Sequence, residues 1–319
     1  MNRHGLLVFA VALLAYFQCT YVSADNISYL QAYWNENRIN VVFVNLQSPD
    51  LKVTAAVAKR GPGSSEPFQS MISRVRPSAA ITGTFFCTRS LRPTGDIVID
   101  GKLVNTGSVG TAVCITYDNQ IDFIPLKRLR NIGWKGYETV LCAGPTLIRE
   151  GTIALSPKAE GFYDSGIYCK KRRAALGVTR NNKLMLVTVD KPIYLRTLAK
   201  IMLHLGAKDA VNLDGGSSAA LYYNGKVISS PGRRLTNLIV VYDSIESYLA
   251  HRHALAPGLE KPLFEAETIA LKPYSQGGIA PAPTKTKPHG SAPDDMMPKA
   301  NLLLPDTKHD GYFITTSRP

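Results

Sequence analysis

The sequence predicts an α+β domain, a β-rich mixed sheet with hairpins and few helices, followed by a disordered tail. Three observations carry this. Short β-branched or aromatic runs flank hairpin-type turns at Asp100 and Gly101, Asp118 and Asn119, Asn181 and Asn182, and Asn224 and Gly225, residues that tolerate the backbone a tight hairpin needs. Helical spacing is convincing only in YLRTLAKIMLHLGA, where Leu195, Leu198, Ile201, Met202 and Leu205 repeat and Gly206 ends the run. Composition then shifts near residue 244, beyond which half of the 20 prolines fall.

Taken in chain order, residues 1–24 read as a signal peptide. Arg3 precedes an apolar stretch from Leu6 to Phe17, and Val22, Ser23 and Ala24 supply a small-residue cleavage pattern. The stretch is too short for a membrane span, so the mature protein is expected to be secreted or periplasmic. Export bears on the cysteines. Once Cys19 leaves, Cys87, Cys114, Cys142 and Cys169 remain, spaced too widely for a zinc site, and two disulfides are expected among them.

Residues 25–243 form the expected folded domain, long enough for one sizeable core. Residues 244–319, with stretches such as GGIAPAPTKTKPHGSAPDD, lack any apolar period and read as the tail. Eight basic and eight acidic side chains cancel within that tail, so nearly all of the +13 net charge falls on the domain. Such a charge suits acidic partners.

The stretch AVNLDGGSSAALYYNGK delivers one acid, Asp214, onto two glycines and two serines. A turn explains such residues without any chemistry. A phosphate-cradling loop would lead its glycines into a helix, whereas GGSS leads into a hairpin. A serine nucleophile would need a histidine, and the domain offers only His204, on the polar side of its helix. The same shortage argues against a zinc hydrolase, and no metal or other cofactor is expected. Carboxylate chemistry remains. LMLVTVD ends in Asp190, the helix follows, and AVNLD ends in Asp214. If the two strands are parallel and adjacent, both acids reach one end of a sheet, an arrangement glycoside cleavage uses. Acids at strand ends also serve simply as turn caps.

NLDGGSSAALYYNGKV resembles the NLDGGGS signature and following hairpin of the phosphodiester glycosidase family. Further blocks occur in the same order. ITGTFF (residues 81–86) is similar to the family's INGGFF, CAGPTLIREG (142–151) to its GPxL block, and RAALGVTRNNKLMLVTVD (173–190) to its RTAIG block with the strand after it. RRLTNLIVVY matches the last strand, so the resemblance spans roughly residues 38–243.

The resemblance implies an exported hydrolase that cleaves the sugar–phosphate bond of a sugar-1-phosphodiester. Its partner would be a sugar-phosphate or anionic glycopolymer rather than nucleic acid. Asp214 would face the anomeric carbon as nucleophile or base, with Asp190 as second acid, and Arg173 would hold the phosphate through its planar fork. Substrate contacts are expected from Asn212, Gly215, Gly216, Ser217, Ser218, Thr82, Thr84, Gly144 and Arg233. Phe85 or Phe86 would stack on the sugar, since alternation sends only one of them into the core. The sequence departs from the family pattern at Thr82, Thr84, Ala174 and Ser217, where the family has Asn, Gly, Thr and Gly. Those departures suit either an altered substrate preference or a non-catalytic module that binds anionic glycopolymers.

Overall fold

The computed structural model describes residues 26–126 and 133–257. The signal segment and the sequence from 258 onward lie outside the described residues. In chain order the strands are β1 (Ile27–Trp34), β2 (Asn37–Asn45), β3 (Lys52–Val57), β4 (Ala79–Thr82), β5 (Ile97–Ile99), β6 (Lys102–Asn105), β7 (Thr111–Ile115), β8 (Ile121–Pro125), β9 (Thr139–Ala143), β10 (Thr146–Arg149), β11 (Thr152–Ile153), β12 (Lys171–Thr179), β13 (Lys183–Ile193), β14 (Ala207–Asn212), β15 (Leu221–Tyr223), β16 (Lys226–Ser229) and β17 (Asn237–Tyr242). The helices are α1 (Phe68–Val75), α2 (Leu195–His204) and α3 (Ile245–His251).

These strands form three sheets, in the orders β1-β2-β13-β12-β14-β10-β11, β16-β15-β4-β17-β3 and β6-β5-β9-β7-β8. Every strand pair among the described residues is antiparallel. The hairpins follow the turn residues. Ile99 pairs with Lys102 across Asp100 and Gly101, and Tyr223 with Lys226 across Asn224 and Gly225, all four turn residues having positive φ, which Asn, Asp and Gly adopt at little cost.

Alternation along β13 divides the core. Leu184 and Leu186 face the second sheet, while Met185, Val187 and Val189 face α2. Leu195, Leu198, Ile201 and Met202 bury the apolar stripe of α2 against that face. Gly177 lets the helix approach, because a Cβ there would stand 2.8 Å from the Met202 methyl carbon.

Three expectations are corrected. First, β13 and β14 run parallel but are not adjacent, because β12 lies between them and pairs antiparallel with both. Second, the four cysteines among the described residues are free thiols, Cys87 and Cys169 exposed, Cys114 and Cys142 buried. Cys114 lies opposite Val140 and Cys142 opposite Ala112, which makes them diagonal neighbours about 7–8 Å apart. A disulfide needs a Cβ separation of about 4 Å. Third, the ordered chain passes residue 243 into α3 and a 3-10 turn at Arg252–Ala254. Tyr248 and Leu255 of this segment are buried, and the Tyr248 hydroxyl donates to Glu138 Oε1 at 2.7 Å. Lys52 pairs with the same carboxylate.

Cutting the chain after Pro257 should leave its stability unchanged. Cutting after Asp243 should cost about 3–6 kcal/mol, since burying a large apolar side chain is worth roughly 1.5–3 kcal/mol and two are lost; denaturant unfolding reads the difference. In the native protein, iodoacetamide should label Cys87 fastest, because hydrogen bonds from Ser90 and the nearby Arg89 pull its thiol down to about 7. Cys114 and Cys142, pushed up by burial, should react only after unfolding, which peptide mass mapping would show.

Candidate active site

The first two sheets meet where β14 ends. Leu213 still donates its amide to Ala174 O of β12, but the next amide, that of Asp214, donates to Gly83 O at 2.9 Å, beyond the end of β4. Gly83 in turn donates to Asn237 O at 3.1 Å. Only glycine fits there, since a Cβ would stand 1.9 Å from Asn237 Oδ1. That oxygen accepts the Thr84 amide at 2.7 Å, so Asn237, within the RRLTNLIVVY block but not among the expected site residues, holds the ITGTFF segment in place.

GGSS forms a 3-10 turn at Gly216–Ser218 before β15. Gly216 has φ +59°, a conformation that favours glycine, and a Cβ on Gly215 would meet Arg172 O at 2.6 Å. This tight turn brings Ser218 and Asp214 together, and both are buried. The Asp214 side chain is 6% exposed. Arg233 completes a triangle, its Nη2 2.9 Å from Asp214 Oδ2 and its Nε donating to Ser218 Oγ at 2.5 Å. Gly232 donates its amide to Ser217 O at 2.8 Å, which anchors the Arg233 loop to the turn, while the Ser217 side chain is left exposed.

The electrostatics are asymmetric. Burial holds the Asp214 carboxyl above its ordinary range, and Ser218, Arg233 and the Gly215 amide only partly counter it. Arg233 is one-third exposed and lies over the Phe86 ring, 4.4 Å from its centroid. Its guanidinium therefore joins a buried carboxylate to solvent. Beside it a cleft of about 520 Å³ opens, lined by Pro67, Phe68, Val227, Ser230, Pro231 and Arg233 among others. Of the two phenylalanines, Phe85 packs edge-on against Phe162, and Phe86 faces Arg233.

Gly144 and Asn212 border this site. Asn212 Nδ2 donates to Gly144 O at 3.1 Å and to Leu213 O at 2.8 Å, while its fully buried Oδ1 has no partner. Gly144 has φ +144° and lies against Phe162. Next to it Glu160, which sequence patterns did not mark, accepts from the Thr146 amide at 3.0 Å, and burial raises its carboxyl. Thr82 and Thr84 are buried at the end of β4, and the bonds that hold them, Thr82 N to Ala220 O and those of Thr84 to Asn237, are made by the backbone.

Two expected members stand elsewhere. Arg173 is buried, with Nε donating to Ile193 O at 3.2 Å and Nη2 to Ile167 O at 3.0 Å and Cys169 O at 2.6 Å. Burial pushes its guanidinium down to about 10. Alternation turns it, like Ala175, toward the α2 face, so it clasps the 165–169 segment. Asp190 pairs with Arg38 and accepts from Asn40 Nδ2 at 3.1 Å and Ser229 Oγ at 3.4 Å. It shares no partner with Asp214, and the intervening β12 puts the axes of their strands about 10 Å apart. Among the described residues no three His, Cys, Asp or Glu side chains gather as a metal site, and no helix is long and apolar enough to cross a membrane.

The family model for phosphodiester glycosidases matches residues 76–242, more than half of the chain and every residue of the Asp214, Ser218 and Arg233 triangle. The chain belongs to the phosphodiester glycosidase family. No curated protein matches it. Among solved structures, a Synechocystis protein superposes with a TM-score of 0.59 at 17% identity, covering 68% of this chain and 62% of that one. The chain thus spans less than two thirds of that protein's length. The catalytic domain of zebrafish N-acetylglucosamine-1-phosphodiester alpha-N-acetylglucosaminidase, auto-inhibited by pro-peptide, gives a TM-score of 0.54 at 20% identity, covering 68% and 82%. At such identities these likenesses concern the fold that this phosphodiester glycosidase domain shares.

Replacing the two arginines should separate their roles. Arg173→Gln should lower stability by about 2–4 kcal/mol, because buried carbonyls lose a charged donor, with binding of inorganic phosphate unchanged. Arg233→Gln should weaken phosphate binding, with a loss of stability that grows with pH because the buried Asp214 is left without its counter-ion; thermal melts paired with titration calorimetry measure both.

Proposed function

We propose that this phosphodiester glycosidase hydrolyses the bond between a sugar C1 and the phosphate of a sugar-1-phosphodiester, and that it does so outside the cytoplasm. The observation that carries the reading is the buried Asp214 bridged to solvent by Arg233. A phosphate group entering the cleft meets the exposed side of Arg233, whose planar fork suits phosphate oxygens. As Arg233 turns part of its charge to the phosphate, Asp214 loses countercharge in a site that already disfavours its ionised form, and becomes a better base. Asp214 then accepts the proton of a water that attacks C1. The C1–O bond breaks, its electron pair leaves with the phosphomonoester, and Arg233 stabilises that developing charge. Phe86, held beneath Arg233, offers the sugar an apolar face.

The phosphate contact thus falls to Arg233 rather than Arg173, and the chemistry falls first to Asp214. Asp190, bound to Arg38 and Asn40, enters only as a more distant carboxylate. The departures at Thr82, Thr84 and Ser217 support an active site over a decayed one, because these residues are held through their backbones and leave the triangle intact. The segment 1–24 supports the extracytoplasmic placement.

Turnover of a panel of sugar-1-phosphodiesters tests the reading. Asp214→Asn should reduce kcat by about 10²–10⁴-fold, the range of a general base, whereas Asp190→Asn should change it less than tenfold. Binding without turnover by the unaltered protein would favour the non-catalytic module. Stability moves the opposite way. Because the raised carboxyl favours the protonated form in the folded state, its contribution is fully present at acid pH and is lost as pH rises. Asp214→Asn should therefore melt with the unaltered protein near pH 4 and above it at pH 7, by a few degrees, the size expected for relieving a strained functional residue.

A further inference from the structure

The cleft beside Arg233 does not end there. Arg234 also lines it, and the same residue lines a second cleft of about 480 Å³ together with Arg60, Gly63, Ser64 and Ser65. Three arginines thus lead outward from Asp214: Arg233 at the carboxylate, Arg234 between the clefts and Arg60 beyond. No carboxylate is among the residues lining either cleft, and α1, which opens beside the first, has no acid in its first turn.

The nearest acid in the chain is spent internally. Glu66, between Ser65 and α1, is buried. It accepts the Lys59 amide at 2.8 Å and is paired with Arg74 Nη2 at 2.7 Å. Those bonds leave the cleft uniformly positive and also hold its walls. Glu66 exchanges backbone bonds with Leu235 at 2.8 and 2.9 Å, an isolated bridge that fixes the chain next to Arg234. Arg234 Nη2 donates to Ser65 O at 2.8 Å. Ser64 Oγ donates to Gly61 O at 2.7 Å, closing the turn after Arg60. Among the described residues neither Arg60 nor Arg234 has an ion-pair partner.

We propose that the cleft lined by Arg60, Ser64, Ser65 and Arg234 is a second anion subsite, which takes a phosphate carried by the aglycone beyond the scissile bond. This rests on the sugar-1-phosphodiester reading and refines it: the substrate bears at least one further phosphate on its leaving side, as a phosphate-bearing glycopolymer or conjugate does. Guanidinium groups without countercharge are freer to bind phosphate oxygens than already paired ones, and Arg234 is held besides by Ser65 O.

The test uses the full mature chain and the double variant Arg60→Ser, Arg234→Ser, with two substrates that share a sugar. One carries a methyl aglycone, the other an aglycone ending in a phosphomonoester. The double variant should raise KM about tenfold more for the second substrate than for the first, a difference the size of two partly exposed charge contacts, with kcat unaltered on the second. Equal losses on both substrates, or no loss on either, would overturn the subsite. If neither substrate is turned over by the unaltered protein, the sugar-1-phosphodiester reading fails separately. Binding of inorganic tripolyphosphate then decides the subsite: a Kd about tenfold weaker in the double variant upholds it, and an unaltered Kd rejects it.

Discussion

Burying a carboxylate is costly unless a counter-ion and hydrogen bonds accompany it, and this domain buries Asp214 where its first two sheets join. The rest of the site follows from that requirement. Ser218 must turn back onto the acid, which needs the glycines at 215 and 216. Arg233 must reach in from a loop that Gly232 pins to Ser217. Asn237 must hold Gly83 and Thr84 so that the Asp214 amide has a carbonyl to meet. The Ser218 and Arg233 contacts lie within about twenty residues of the acid, whereas the Asn237 contacts reach across more than 150 residues, and together they tie the carboxylate's environment to both sheets.

The same constraint sets the chemistry. Arg233 is only one-third exposed, and its partner is almost fully enclosed. An anion reaching the cleft therefore meets the guanidinium before it can meet the carboxylate. On the proposed mechanism, recognition of phosphate and activation of the base become one event, which a solvated ion pair could not couple because water would screen both groups. Arginines 234 and 60 carry the positive surface outward from that point.

Local features were legible in the sequence, and long-range ones much less so. The hairpins at Asp100 and Asn224 are written in residues that accept positive φ, and α2 in its apolar period. Asp214 stood out because strand, acid and paired glycines occur together. The family blocks supplied Arg233. By contrast, the insertion of β12 between β13 and β14 leaves no local trace, and it separates Asp190 from Asp214. Arg173 falls within a family block, yet strand alternation turns it to the helix side. The free thiols likewise depend on a register that puts Cys114 and Cys142 on a diagonal. Helix α3 was lost in the proline-rich average of the tail, although its seven residues bury Tyr248. Glu160 carries no motif at all, and Asn237, although inside the RRLTNLIVVY block, shows its importance only in contacts with Gly83 and Thr84, distant in sequence.

The central claim is that this domain breaks the bond from sugar carbon to phosphate oxygen. Hydrolysis of a sugar-1-phosphodiester in water enriched in oxygen-18, followed by phosphorus-31 NMR of the products, tests it directly. Attack at C1 predicts that the released phosphomonoester carries no label and shows no isotope shift. A labelled phosphate would mean that water attacks phosphorus, and it would contradict the role of Asp214 as the base for attack at C1.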